Sequence, residues 1–157
     1  MHVIPEARLS IQPIGTQDDA TPPHSRICAD GQPTDTIVAG AVREACVGCD
    51  RYYLLFMTDD IPYEDALHIH LLDPDMRLVE SAQIGAPYAT GSFRSLQLDA
   101  LGAVSFEFMG GTTWTVRVWD RPRRHIPFLS DPRGVSRRLR FSSRLQIDGA
   151  PVPAPAR

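Results

Sequence analysis

The chain contains no lysine and no asparagine, and all 16 of its cationic side chains are arginine. Lysine is ordinarily among the commonest residues. The joint loss of two residues with A-rich codons reads as the bias of a GC-rich genome, not as the mark of a site. Cysteine is scarce: Cys28, Cys46 and Cys49 form an odd, low set, which argues against a disulfide framework. No run of eighteen apolar residues occurs, so no transmembrane helix is expected. The start, Met1-His2-Val3-Ile4-Pro5-Glu6, has neither the basic nor the apolar stretch of a secretory signal. A reducing, cytoplasmic location is therefore expected.

Several chemical signatures are missing as well. Gly91-Ser92-Phe93 lacks the second glycine of a nucleophile elbow. There is no glycine-rich dinucleotide fingerprint and no P-loop to cradle phosphates. Oxygen ligands do not recur at the spacing of a calcium loop. Asp59-Asp60 and Asp73-Pro74-Asp75 read as turn and cap chemistry. The sequence thus leaves open whether the chain is an enzyme at all.

What is present describes one globular domain. The 157 residues are 43% hydrophobic and 22% charged, ordinary values that argue against wholesale disorder. The domain is expected over 1–149, with a loop-rich segment at 1–35. Three prolines between Ala150 and Arg157 point to a disordered tail. Within the first segment, Arg8 to Gln12 alternates like a short strand, while Gln17 to Pro33, with Pro22-Pro23 and Asp30-Gly31, reads as loop. Ile37 to Cys46 is assigned as strand, because Thr36-Ile37-Val38 favours extended backbone and Gly40 weakens a helix.

From residue 51 onward, apolar runs recur about every ten residues between turn signals. Strands are expected at 52–58, 66–72, 77–84, 93–99, 103–109, 113–119 and 138–147, with one helical turn at 60–65. The fold class is all-β: an antiparallel meander of seven to nine strands forming a small barrel or sandwich, with at most one or two short helices. Period-2 alternation marks the buried faces. Leu67, Ile69 and Leu71 share one, and His68 and His70 the other. Leu78, Ala82 and Ile84 point inward around an interrupting Glu80. Leu139, Phe141, Leu145 and Ile147 are expected inside, with Arg138, Arg140 and Arg144 outward.

Register constrains the turns, because a slip of one residue flips every side chain. Keeping Phe106 and Trp114 on one face requires an odd loop of three or five residues. A bulged turn at Gly110-Gly111-Thr112 would pair Phe108 with Trp114. Ala100-Leu101-Gly102 would pair Leu98 with Val104, with Gly102 in a left-handed position. A four-residue loop at 72–75 would set Leu71 opposite Met76 and His70 opposite Arg77.

Two constellations bear chemistry. Cys46-Val47-Gly48-Cys49 with His68-Ile69-His70 offers the thiolate and imidazole ligands of a tetrahedral zinc site, the one cofactor the residues suggest. Against it stand the unusual histidine spacing and the expected Arg77 neighbour. The plainer alternative packs the cysteines as small apolar residues and leaves the histidines facing water. A redox role for the Cys-x-x-Cys lacks the βαβ context that lowers a thiol pKa.

The second constellation is cationic. Residues 1–100 carry 6 Arg against 15 acids, and residues 101–157 carry 10 Arg against 4 acids. The candidate anion- or ligand-binding residues are Arg117, Trp119, Arg121, Arg123, Arg124, Arg138, Arg140 and, on the 85–91 loop, Tyr88. Arginine grips phosphate and carboxylate through a bidentate fork, and an aromatic can stack beside it. A whole-chain pI of about 5.9 disfavours a nucleic-acid binder. The expected function is a non-enzymatic binding or protein-interaction domain using end loops or the arginine face. Its partner would be a protein or a small anion, with no membrane and with self-association open. The alternative is a small zinc-dependent protein or enzyme. The arginine face is expected to lie against the acidic part of the same chain.

Overall fold

In the computed structural model, which describes residues 1–15 and 21–153, the chain is all-β. Thirteen antiparallel strands form three sheets, and no helix occurs among the described residues. None therefore is long and apolar enough to cross a membrane. The strands are β1 (His2–Val3), β2 (Leu9–Ile14), β3 (His24–Ala29), β4 (Gln32–Ala39), β5 (Val42–Cys49), β6 (Tyr52–Thr58), β7 (Leu67–Leu72), β8 (Leu78–Ile84), β9 (Arg94–Leu98), β10 (Ala103–Glu107), β11 (Thr113–Arg124), β12 (Val135–Ser136) and β13 (Ser142–Asp148).

The central sheet runs β1-β5-β6-β7-β8-β12, a second runs β13-β11-β10-β9, and a third runs β2-β3-β4. No barrel closes, and the arrangement is a sandwich of sheets. One core joins the central sheet to the four-stranded sheet through Leu54, Phe56, Leu67, Ile69, Leu71, Phe106, Trp114, Val116, Leu145 and Ile147. A second core lies on the other face of the central sheet, where Cys46, Leu55, Met57 and Leu72 meet Leu9, Ile27 and Val38 of the three-stranded sheet. Covered on both faces, β7 is buried at all six positions.

The N-terminal segment is more ordered than its composition suggested. The stretch expected as loop contains β3, while residues 17–20 of it lie outside the described part. β3 turns into β4 through Asp30-Gly31, whose φ values of 48° and 78° fit the mirror-image turn that right-twisted hairpins favour. The Ile37–Cys46 stretch is strand in two pieces, β4 and β5, broken at Gly40-Ala41 where the chain crosses from one sheet to another. Residues 60–65 form turns, not a helical turn.

The registers sharpen the expected hairpins. Leu98 pairs with Val104, and Gly102 takes φ 84°. Trp114 pairs with Phe106, not with Phe108, so the loop has the longer odd length and facing is preserved. After β7 the expected pairing is corrected. Asp73 accepts hydrogen bonds from the N–H groups of Asp75 and Arg77, closing a tight loop, and a bulge follows. Leu71 therefore faces Glu80 and His70 faces Ser81. Leu78 turns outward and Glu80 turns inward.

The expected strand at 138–147 is shortened to β13. Leu139 and Phe141 point to solvent, and Arg140 turns inward. The physical reason is the stretch 125–141, a strap that leaves the four-stranded sheet after β11, adds β12 to the edge of the central sheet, and returns to β13. Of the tail, Val152 donates its N–H to the Gly110 carbonyl at 3.0 Å. Residues 154–157 lie outside the described part.

Candidate functional site

The strap is held down by charge. The Arg137 side chain is buried, and its guanidinium forks onto Asp131, with Nε to Oδ2 at 2.9 Å. Its Nη1 reaches Glu80 Oε1 at 3.0 Å, Ser143 Oγ at 2.8 Å and the Leu145 carbonyl at 3.1 Å. Arg140 closes on the other Glu80 oxygen at 3.4 Å, and His125 lies 3.3 Å from Asp131. Two carboxylates thus meet two guanidinium groups largely out of water. A buried charge is tolerated only when paired and hydrogen-bonded, and here the pairing welds the strap to both sheets. Glu80, which interrupts the apolar alternation of β8, is the anchor.

What the strap displays is apolar and cationic. Phe128 is 89% exposed, Phe141 81%, Leu129 79% and Leu139 70%. Arg133 and Arg138 are also exposed on the strap, and Arg121 and Arg124 precede it. None of these four arginines has a carboxylate within 4.0 Å among the described residues. A groove of about 380 Å³ crosses the strap between Phe128 and Leu139, with Arg133 and Arg138 in its lining.

The other arginine candidates divide. On the outer face of the four-stranded sheet, the Arg123 guanidinium stacks 3.2 Å from the Trp119 ring centre and Arg117 lies 5.6 Å away. The Trp119 indole N–H donates to Gln146 at 3.2 Å. This indole is therefore already engaged. β11 runs on through Trp119 to Arg124, where a loop was expected, by bulging at 119–122 opposite Arg144. The Arg144 guanidinium donates to the Trp119 and Asp120 carbonyls and secures the bulge. Tyr88 is 83% exposed, donates its N–H to Glu64 at 3.3 Å, and has no arginine stacked on its ring among the described residues.

The structure does not bring Cys46, Cys49, His68 and His70 together. Cys46 faces the core under the three-stranded sheet, and Cys49 packs against the other core. Two strand positions separate Cys46 from His70, because Leu55 stands between them in register, a span of about 9–10 Å. Among the described residues, no three His, Cys, Asp or Glu side chains are grouped to hold a metal. Burial pushes the thiol of Cys46 up to about 12 and that of Cys49 up to about 11. Both stay protonated near neutral pH.

The histidines do not face water, because the three-stranded sheet covers them. His70 donates from Nε2 to the Ala39 carbonyl at 2.8 Å, and its Nδ1 lies 2.7 Å from Ser81 Oγ, whose hydroxyl donates to it. His68 Nε2 meets Asp59 at 2.8 Å, and the two imidazoles lie parallel with centres 6.0 Å apart. Burial drives the His70 pKa down to about 4, so its imidazole is neutral and ties two sheets together.

The apolar display of the strap escapes the alternation argument, because Leu139 and Phe141 continue the period of Leu145 and Ile147. The proline and glycine of Asp131-Pro132-Arg133-Gly134 are the signal that this period breaks. No protein-family model, curated protein or solved structure matches this chain.

Proposed function

We propose that the chain is a non-enzymatic protein-interaction domain that docks its partner through the 125–141 strap. One observation carries this reading: a segment clamped from beneath by the buried Arg137–Glu80–Asp131 pairing holds four large apolar side chains in water. Large apolar side chains held together in water on a folded domain mark an interaction site. A clamped backbone also reduces the ordering entropy lost on binding. Aromatic side chains flanked by arginine match the composition of interface anchors. The exposed arginines select a partner that combines carboxylates with apolar groups, or a small anion seated in the groove. All three cysteines are free, which suits a reducing, cytoplasmic setting.

Selection of a random peptide library on the domain tests the proposal, with counter-selection on a Phe128→Ser/Phe141→Ser variant. The expected outcome is enrichment of sequences joining Asp or Glu to aromatic or aliphatic residues. Enrichment of sequences that bind both proteins equally overturns it, and so does no enrichment.

A further inference from the structure

A second surface on the same chain complements the strap. The turns between β6 and β7 expose Ile61 and, at 84%, Tyr63, beside exposed Asp60 and Glu64. The Tyr88–Glu64 hydrogen bond joins the 85–91 loop to this surface. It is aromatic and acidic, where the strap is apolar and cationic.

The two surfaces flank one end of the central sheet. Thr58, Leu67, Ile84 and Val135 form one row across β6, β7, β8 and β12. Gly85 donates to the Gly134 carbonyl at 2.9 Å just beyond that row. The acidic turns leave β6 at this row, the Tyr88 loop leaves β8 there, and Arg133 precedes the row on the strap.

The geometry points to a homodimer in which the strap of each copy docks on the acidic aromatic surface of the other. This rests on the reading of the strap as a docking surface and names its occupant as a second copy of this chain. Adjacent patches of opposite sign make the whole end self-complementary under a two-fold axis, the commonest symmetry of homo-oligomers. Each strap then meets carboxylates, and like charges are kept apart. The area also suffices. Phe128, Phe141, Tyr63 and Tyr88 can together bury roughly 600 Å² per copy, close to the ~800 Å² per partner of a standard interface. No carboxylate of the chain itself lies within 4.0 Å of Arg133 or Arg138 among the described residues, so both are free to pair across the axis.

Sedimentation velocity of the full chain at a series of concentrations and ionic strengths tests the dimer. The wild-type chain is expected to dimerise at low salt and to weaken as salt rises. Arg133→Glu/Arg138→Glu and, separately, Asp60→Arg/Glu64→Arg are each expected to weaken association at least about tenfold, with circular dichroism unchanged. An equimolar mixture of the two variants restores the dimer, because both contacts again join opposite charges. A monomeric wild-type chain, a dimer indifferent to both variants, or a mixture that stays monomeric overturns the inference. If the chain is monomeric but the peptide selection succeeds, the strap remains a docking surface and only the second copy is rejected. If neither gives a signal, both readings fall.

Discussion

At the scale of single residues, His70 has the sharpest physical consequence. Burial fixes its neutral form, against the pull of the Ala39 carbonyl toward the cation; in that form it donates to Ala39 and accepts from Ser81, with His68 stacked beside it. The nearby His68 and His24 oppose a further positive charge. Asp59 is engaged by His68 at 2.8 Å. Below pH 6.5 the unfolded chain takes up a proton at this imidazole, while the folded chain resists until about pH 4. The unfolded state then holds more protons, so stability is complete above pH 6.5 and falls as the pH drops toward 4. The loss attributable to His70 is about 3 kcal/mol across that window. Urea unfolding of the wild type and of His70→Gln at about pH 7 and about pH 4.5 checks this, with the variant expected to show a flatter profile. Equal slopes would remove His70 from the account. The protonated thiols belong to the same scale: Cys46 and Cys49 act as packing atoms at neutral pH, as free cysteines commonly do.

At the scale of elements, the strap depends on Arg137. Replacing it with methionine keeps much of the side-chain volume but leaves Glu80 and Asp131 buried with less cation. Breaking a buried pair in this way is expected to destabilise the fold by about 3–5 kcal/mol. Denaturant unfolding measures the loss, and hydrogen exchange at 125–141 shows where it acts. A second change, Glu80→Gln, should recover part of it by removing one stranded charge. A loss below about 1 kcal/mol would mean that the strap is held by something else.

The strands were legible where alternation and turn residues agreed, as in 52–58 and in the Leu98–Val104 hairpin. The strap was not, because alternation records which side chains share a side and says nothing of where a sheet ends. Nor does the sequence say what covers a sheet's second face. His68 and His70 look like solvent-facing residues until the three-stranded sheet is placed over them. That sheet had its own sign in Asp30-Gly31, a dipeptide that favours two-residue hairpins. The arginine pairing was only partly foreseeable. Arg137 and Arg140 meet Glu80 of the acidic part of the chain, while the exposed arginines of 121–138 have no carboxylate within 4.0 Å among the described residues.

At the scale of the whole molecule, charge is divided between two jobs. Some of it lies inside, holding the strap across the open side of the sandwich. The rest stays at the surface, where the cationic strap and the acidic turns share one end. Interior charge of this kind is screened much less by salt, whereas the surface charge is screened within about 10 Å at 0.1 M. Assembly should therefore respond to ionic strength more steeply than the fold does.

The double coverage of the central sheet also bears on how the chain can change. A strand packed on one side offers every second position to substitution, but β6 and β7 offer almost none, since nearly every side chain from Leu54 to Leu72 outside the 60–65 turns enters a core or a buried hydrogen bond. Saturation mutagenesis read out by abundance should give β10 and β13 a tolerance profile of period two and give β7 an unbroken block of intolerance. A period of two in β7 would mean that one of its faces is free. Divergence in this protein is then confined to the outer sheets and to the end that carries the strap. New binding properties can arise there without disturbing the strands that hold the molecule together.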